Sequence, residues 1–306
     1  MIDNLEKIKK ISNIIEVKRL QLNDEIKKLL GLKVVKDAEK NSKKIFIYEF
    51  FYISHGKKIK GYLIEPRKGN KLPCVIWNRG GSRDFESIKM ESFFVSRSMI
   101  TSLAMKGYIV IATQYPGVAG GEGVDKMGSE EDIDSILDLY KILKMYKRAD
   151  TSSVGMYGHS RGGMMTYMCL ARVNFVKAAV AIAALADEIN AHKFRKWWAE
   201  HQKSMYGGSL EEKKKRSALL WTNKFHKKTP LLIMHGTADW RVNPNDSIRL
   251  AEKLYENKIP FRSILYEGAD HWLTEVNNEY QKEVFKWFDR FLKNSENLPN
   301  IKPHGT

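Results

Sequence analysis

Cysteine, metal-binding patterns and long apolar runs are what this chain has least of. Two cysteines, Cys74 and Cys169, occur in 306 residues. They form no CxxC pair, which excludes a secreted disulfide ladder, and each sits inside an apolar run where a buried, reduced thiol is expected. No HExxH pattern and no Cys/His cluster is present, so no metal is expected. The N-terminal MIDNLEKIKKISNIIEVKRL carries charges throughout and lacks the uninterrupted apolar core of a secretory signal. No segment approaches the length of a membrane span. The expectation is a cytoplasmic protein without stable membrane insertion.

Positive charge is in excess. Lys plus Arg number 52 against 36 Asp plus Glu, a formal net charge of +16. The lysines are scattered, and the densest run, Glu211 to Arg216, mixes signs. With no recognition motif beside them they read as a solvated surface, and no nucleic-acid partner is expected. A hydrophobic content of 43% over this length supplies a full core for a large α/β domain.

Leu5, Ile8, Ile11, Ile15 and Leu22 recur at three- and four-residue steps, which predicts a helical segment over residues 1–42 with Gly31 as a stop. Ile45 to Ser54 and Lys58 to Glu65 read as strands joined by the turn Ser54-His55-Gly56-Lys57, a hairpin. From residue 74 onward short apolar strands alternate with helices: strands at 74–77, 108–113, 154–157, 177–183, 231–235 and 261–266, and helices at 92–106, at 130–146, from the turn after 157 through about 171, at 245–257 and at 277–293. That alternation predicts an α/β fold, a mostly parallel sheet covered on both faces. The domain is expected over 43–296. Residues 185–229, rich in Trp, Lys and Glu, read as a helical insertion, and 297–306 as a loose tail.

The segment VGMYGHSRGGMM places Gly158-His159-Ser160-Arg161-Gly162 between an apolar strand and a helix. A G-x-S-x-G turn in that context holds a serine in a sharp, exposed bend, and the small flanking residues are needed because side chains would clash there. A serine hydroxyl is a poor nucleophile at neutral pH and needs a base, which in turn needs an orienting acid. Asp239 follows the strand Leu231 to His235, and His271 follows the strand Phe261 to Tyr266. Serine, acid and histidine therefore come in the required order, each in a loop after a strand. Asp270 is a rival acid, but adjacent side chains diverge and it is poorly placed to reach His271. His235 and His159 are rival bases. His235 ends a buried strand, the place for a satisfied structural histidine, and His159 is expected to point elsewhere. For an oxyanion, the backbone N–H of Arg161 is one candidate donor. The second is the N–H of Gly80 or Gly81, after the strand at 74–77. The Arg79 side chain is a candidate for facing substrate. Trp240 and Trp272 are candidates for lining the substrate pocket, with core packing as the alternative.

GHSRGG, HGTADWRVNP, EGADHW and ATQYPGVAGGEG together resemble the α/β-hydrolase superfamily, and within it the catalytic domain of the prolyl oligopeptidase family of serine peptidases. An RGG stands where that family often has HGG or YGG. The likeness covers roughly residues 45–293. It implies a serine acyl-transfer mechanism without metal or organic cofactor, acting on a small ester or a short peptide. Two departures weaken the inference to peptides: there is no room here for the β-propeller of the full-length peptidases, and Arg79 stands where some members place an oxyanion-binding tyrosine. A carboxylesterase and a non-catalytic binding protein with the hydrolase fold are the alternatives.

Overall fold

The computed structural model describes residues 4–95 and 98–302. In chain order the elements are α1 (Leu5–Lys9), β1 (Ile14–Leu20), α2 (Asp24–Leu30), α3 (Leu32–Ser42), β2 (Ile45–Ser54), β3 (Lys57–Pro66), β4 (Leu72–Asn78), α4 (Met99–Met105), β5 (Ile109–Thr113), α5 (Glu130–Met145), β6 (Ala149–His159), α6 (Arg161–Leu170), β7 (Val176–Ile182), α7 (Ala191–Phe194), α8 (Trp198–Tyr206), α9 (Leu210–Lys215), β8 (Leu231–Gly236), α10 (Asn245–Glu256), β9 (Phe261–Tyr266) and α11 (Asn277–Phe288). The strands form one mostly parallel sheet in the order β1-β2-β3-β5-β4-β6-β7-β8-β9. The chain also divides into two compact units, residues 1–125 with 129–154, and 126–128 with 155–306.

In the first unit, β1, β2, β3 and β5 pair antiparallel, and β4 pairs parallel with β5. The β2–β3 hairpin turns on two residues, with Ser54 opposite Lys57. His55 and Gly56 both have positive φ, 50° and 70°. This left-handed pair matches the right-handed twist of the flanking strands. Every residue of β5 is buried, as expected for a strand covered on both faces. Helix α5 begins with a reciprocal capping box, in which the Asp132 N–H donates to Ser129 Oγ at 3.2 Å and the Ser129 N–H to Asp132 Oδ2 at 3.0 Å.

One expectation is corrected here. The segment 1–42 is not helical throughout, because Ile14–Leu20 is a strand on β2. Of the apolar residues in that spacing, Leu5 and Ile8 lie on α1, Ile11 is buried just beyond its end, and Ile15 is half exposed on β1. The β-branched run Ile14, Ile15 and Val17 suits a pleated edge better than a helix interior, and pairing with β2 decides between them. The helix expected over 92–106 is shorter as well. Met90–Phe94 is a 3₁₀ turn and α4 begins at Met99. Ser96 and Arg97 lie outside the described residues.

In the second unit, β7, β8 and β9 are parallel neighbours. All ten residues of α6 are buried, and its Gly163 lies so close to Ala184 that an added Cβ would sit 2.3 Å from the alanine methyl. Between β7 and β8 come the short helices α7, α8 and α9 and two 3₁₀ turns, Ala218–Leu220 and Thr222–Lys224. A π-helical turn, Asp289–Lys293, continues α11. Residues 297–302 are exposed without regular structure, and the last four residues of the expected loose tail lie outside the described residues. Among the described residues no helix is long and apolar enough to cross a membrane. Among the described residues neither Cys74 nor Cys169 forms a disulfide, and both are buried.

Candidate active site

Strand β6 ends at His159 and α6 starts at Arg161, so Ser160 alone makes the turn between them. Its backbone has φ 57° and ψ −125°, a region costly for any residue with a Cβ. The turn is fixed from both sides: the Ser160 N–H donates to the Ile182 carbonyl at 2.8 Å, and the Ser160 carbonyl accepts from the Gly163 N–H at 3.0 Å. Gly158 permits the close approach. A Cβ there would lie 2.0 Å from the Gly162 carbonyl oxygen. Steric exclusion by backbone, and not flexibility, is what this glycine provides.

The loops after β8 and β9 bring Asp239 and His271 together. His271 Nδ1 lies 2.7 Å from Asp239 Oδ2, and both side chains are buried. An ionised carboxylate only accepts, so the ring proton is on Nδ1 and Nε2 keeps its lone pair. That Nε2 is buried and has no hydrogen-bond partner among the described residues. The other carboxylate oxygen, Oδ1, accepts from the N–H groups of Arg241 at 2.7 Å and Val242 at 2.9 Å. Burial pushes the Asp239 carboxyl up, but hydrogen bonds from His235 and His271 outweigh it and hold the group well below the usual carboxylate range.

The rivals are placed elsewhere in the network. Asp270 Oδ1 caps its own turn, accepting from the N–H groups of Trp272 and Thr274, both at 2.9 Å, while Oδ2 accepts from the Thr274 hydroxyl at 2.9 Å. His235 Nε2 faces two acceptors, Asp239 Oδ2 at 3.0 Å and the Val242 carbonyl at 3.3 Å, so it carries the proton. Its Nδ1 then accepts from the Ser247 hydroxyl at 2.6 Å. His235 is thus a satisfied buried histidine, but one that grips the same carboxylate oxygen as His271. Sequence position gives only its burial at a strand end; the shared oxygen depends on loops after β8 and β9 that meet in space.

His159 does not point elsewhere. Its ring lies 4.8 Å from the His271 ring, and its Nε2–H donates to the His271 carbonyl at 2.8 Å. Burial, followed by the charge of His271, pulls its pKa down to about 3, so it stays neutral.

Arg161 begins the buried helix α6 directly after Ser160. Gly80 and Gly81 lie in the loop after β4, in the first unit. Gly81 has φ +64°, and a Cβ on it would meet the Phe85 carbonyl oxygen at 2.1 Å. Arg79 is corrected from its expected role. Its side chain is fully buried; Nε donates to the Gln114 carbonyl at 2.9 Å, and the terminal nitrogens to the carbonyls of Gly80 at 3.1 Å and Arg83 at 2.8 Å. Asp125 stands 3.5 Å away as its counter-ion. A guanidinium engaged on all three nitrogens and fully buried holds its own loop and does not face a substrate. Trp240 and Trp272 are not core residues, being 60% and 44% exposed. The Arg241 guanidinium lies over both rings, at 5.7 and 5.2 Å, and the Trp272 ring stands edge-on to His271 at 5.3 Å.

A mostly parallel sheet with a strained serine between strand and helix, and a His–Asp pair after later strands, defines an α/β-hydrolase. Residues 94–295 match the model of the prolyl oligopeptidase family, and the chain belongs to that family. It is 25% identical over 258 residues to the uncharacterized peptidase YtmA of Bacillus subtilis, covering 83% of this chain and 95% of that one. Among solved structures, the acylaminoacyl peptidase of Pyrococcus horikoshii superposes with a TM-score of 0.71 at 21% identity. The match covers 86% of this chain but 44% of that peptidase. An S-formylglutathione hydrolase from Agrobacterium tumefaciens superposes with a TM-score of 0.63 at 17% identity, covering 81% of this chain and 96% of that one.

Proposed function

We propose that the protein is a serine hydrolase that cleaves ester or amide bonds through an acyl-enzyme, with Ser160 as nucleophile, His271 as general base and acid, and Asp239 as the group that orients the imidazole. The observation that carries this reading is the state of His271. Its Nδ1 is held by Asp239 at 2.7 Å, while its buried Nε2 has no partner among the described residues. That leaves a basic nitrogen, in a fixed tautomer, as the acceptor for the Ser160 proton. Ser160 attacks the substrate carbonyl as Nε2 takes this proton, and the backbone N–H of Arg161 donates to the developing oxyanion. The imidazolium is stabilised by Asp239 and protonates the leaving group. Water, deprotonated by the same nitrogen, then releases the acyl group.

Family membership supports an acyl-transfer hydrolase. One fold neighbour is by name an acylaminoacyl peptidase and another an S-formylglutathione hydrolase, so the fold leaves peptide and non-peptide substrates open. We place small esters and short peptides within its range, and a reducing compartment suits the two buried cysteines outside any disulfide. The test compares p-nitrophenyl esters with blocked peptide p-nitroanilides, using Ser160→Ala as the blank. Ester turnover alone identifies a carboxylesterase on the peptidase-like fold, and serine-dependent anilide cleavage identifies a peptidase. Equal rates for wild type and Ser160→Ala contradict the reading.

A further inference from the structure

The second unit contains a cavity of about 270 Å³ beside the Asp239 loop, lined by residues that follow β7, by Arg241 and Val242, and by the start of α10. Arg195 is the residue there that calls for explanation. It is 9% exposed, lines the cavity, and has no hydrogen bond or ion pair to its guanidinium among the described residues. Buried cations are ordinarily paired, because removing a charge from water without a counter-ion is costly.

What holds Arg195 in place is aromatic. Its guanidinium carbon lies 4.4 Å from the Trp197 ring centre and 4.1 Å from that of Trp198. Such contacts satisfy the faces of the guanidinium and leave its five N–H donors, which lie in the plane, unengaged. The charges of Glu188 and Asp239 favour the cationic form of Arg195, but neither carboxylate hydrogen-bonds to it, and Glu188 Oε1 is itself buried without a partner among the described residues. Glu188 Oε2 accepts from Trp198 Nε1 at 3.0 Å, Gln202 Nε2 at 2.6 Å and the Tyr206 hydroxyl at 2.9 Å. Asp187 pairs with Arg249 at 2.5 Å and also accepts from Asn190. Asp246 accepts the N–H groups of Ala186 at 3.0 Å and Asp187 at 3.1 Å. Arg241, whose own backbone N–H is bonded to Asp239, adds a second positive charge to the same cavity. Burial, followed by the charge of Arg241, pulls the Arg195 pKa down to about 10, so it remains a cation at neutral pH. A planar fork of donors, held by two indoles and facing a small cavity with the charge of a second arginine on it, is complementary to a carboxylate.

We propose that this cavity is a carboxylate-recognition subsite, that Arg195 is its anchor, and that the preferred substrates carry an anionic carboxylate near the scissile bond. The inference rests on the serine hydrolase reading for its catalytic consequence but not for the binding itself. The carboxylate belongs either to the acyl part or to the leaving group.

Two matched substrate pairs test this. Mono-p-nitrophenyl glutarate is compared with p-nitrophenyl valerate for the acyl side, and 4-acetoxybenzoate with its methyl ester for the leaving side. The expected result is a kcat/KM preference of about ten- to hundredfold for the charged member of one pair, the range for a charge-assisted hydrogen-bonded site. In Arg195→Gln that preference ratio falls at least about tenfold, and Arg195→Lys, which keeps the charge without the fork, restores part of it. Which pair responds identifies the side of the bond. Equal rates within both pairs, or a ratio unchanged in Arg195→Gln, overturn the proposal. Should Arg195→Gln fail to fold, wild-type protein decides: glutarate competes with a neutral ester and glutaramide does not if the subsite exists, and equal competition contradicts it. If no Ser160-dependent turnover is found at all, calorimetric titration of glutarate against glutaramide into the wild-type protein tests the subsite alone. Glutarate-selective heat supports it, and none overturns it.

Discussion

Asp239 holds His235 and His271 through a single oxygen, Oδ2, at 3.0 and 2.7 Å respectively. The carboxylate is therefore positioned by a histidine that is not itself the proposed base. Its second oxygen is fixed by two backbone N–H groups, so it has little freedom to rotate away from His271. His235 is in turn locked by the Ser247 hydroxyl on α10.

Replacing His235 with alanine is expected to slow hydrolysis about tenfold through kcat, with KM little changed, because the group acts through Asp239 and not on substrate. The same change removes one of the two histidine hydrogen bonds that hold the Asp239 pKa down against burial. That pKa rises, and activity on acidification fails at a higher pH than in wild type. A purely structural role for His235 lowers the melting temperature without moving the pH profile, so recording both separates the two.

Gly158→Ala is expected to prevent assembly of the turn. Its Cβ would meet the Gly162 backbone at 2.0 Å, and backbone cannot rotate aside as a side-chain tip can. The loss of stability should reach about 3 kcal/mol or more, at the upper end of overpacking costs. Chemical denaturation measures it. A loss below about 1 kcal/mol shows that the turn can relax.

Ser160→Gly is expected to stabilise the fold while ending turnover. Ser160 sits at φ 57°, where a residue with a Cβ is strained and glycine is not. Relief of that strain outweighs the greater freedom glycine gains in the unfolded chain when the gain is about 1 kcal/mol. A melting temperature above that of Ser160→Ala supports stored strain at the nucleophile, and a lower one removes it from the account.

Acidification supplies a further expectation through His159. Its folded pKa, about 3, lies below the ordinary value of 6.5, so between these pH values the unfolded chain binds the proton that the folded one excludes. Stability contributed by this residue is complete above pH 6.5 and is lost as pH falls toward 3. The slope is at most about 1.4 kcal/mol per pH unit. Urea titrations across this window should show a shallower slope for His159→Gln. An identical slope contradicts the assignment.

Much of this was legible from residue order. The glycines around Ser160 and the positions of Asp239 and His271 after strands identified the turn and the pair, because backbone clearance and strand-end placement are local properties. The β2–β3 hairpin was legible for the same reason, in the His55-Gly56 turn. Strand β1 was not, because the three- and four-residue spacing of Leu5, Ile8, Ile11 and Ile15 runs on into Ile14 to Leu20 and masks its β-branched character until β2 is there to pair with it. By sequence Arg79 is a candidate for facing substrate, yet its partners Gln114 and Asp125 lie 35 and 46 residues away. Such long-range partners leave no mark on spacing. The shared oxygen of Asp239 and the unpaired Arg195 escaped detection in the same way, since both depend on which distant side chains meet.

The central claim is that Ser160 is the nucleophile, and a fluorophosphonate reagent followed by peptide mass spectrometry tests it most directly. The account predicts one phosphonylated serine, Ser160, with loss of hydrolysis in proportion to labelling and no adduct in Ser160→Ala. An unlabelled Ser160 in folded protein that still hydrolyses esters, or an adduct at another residue that accounts for the lost activity, would contradict it.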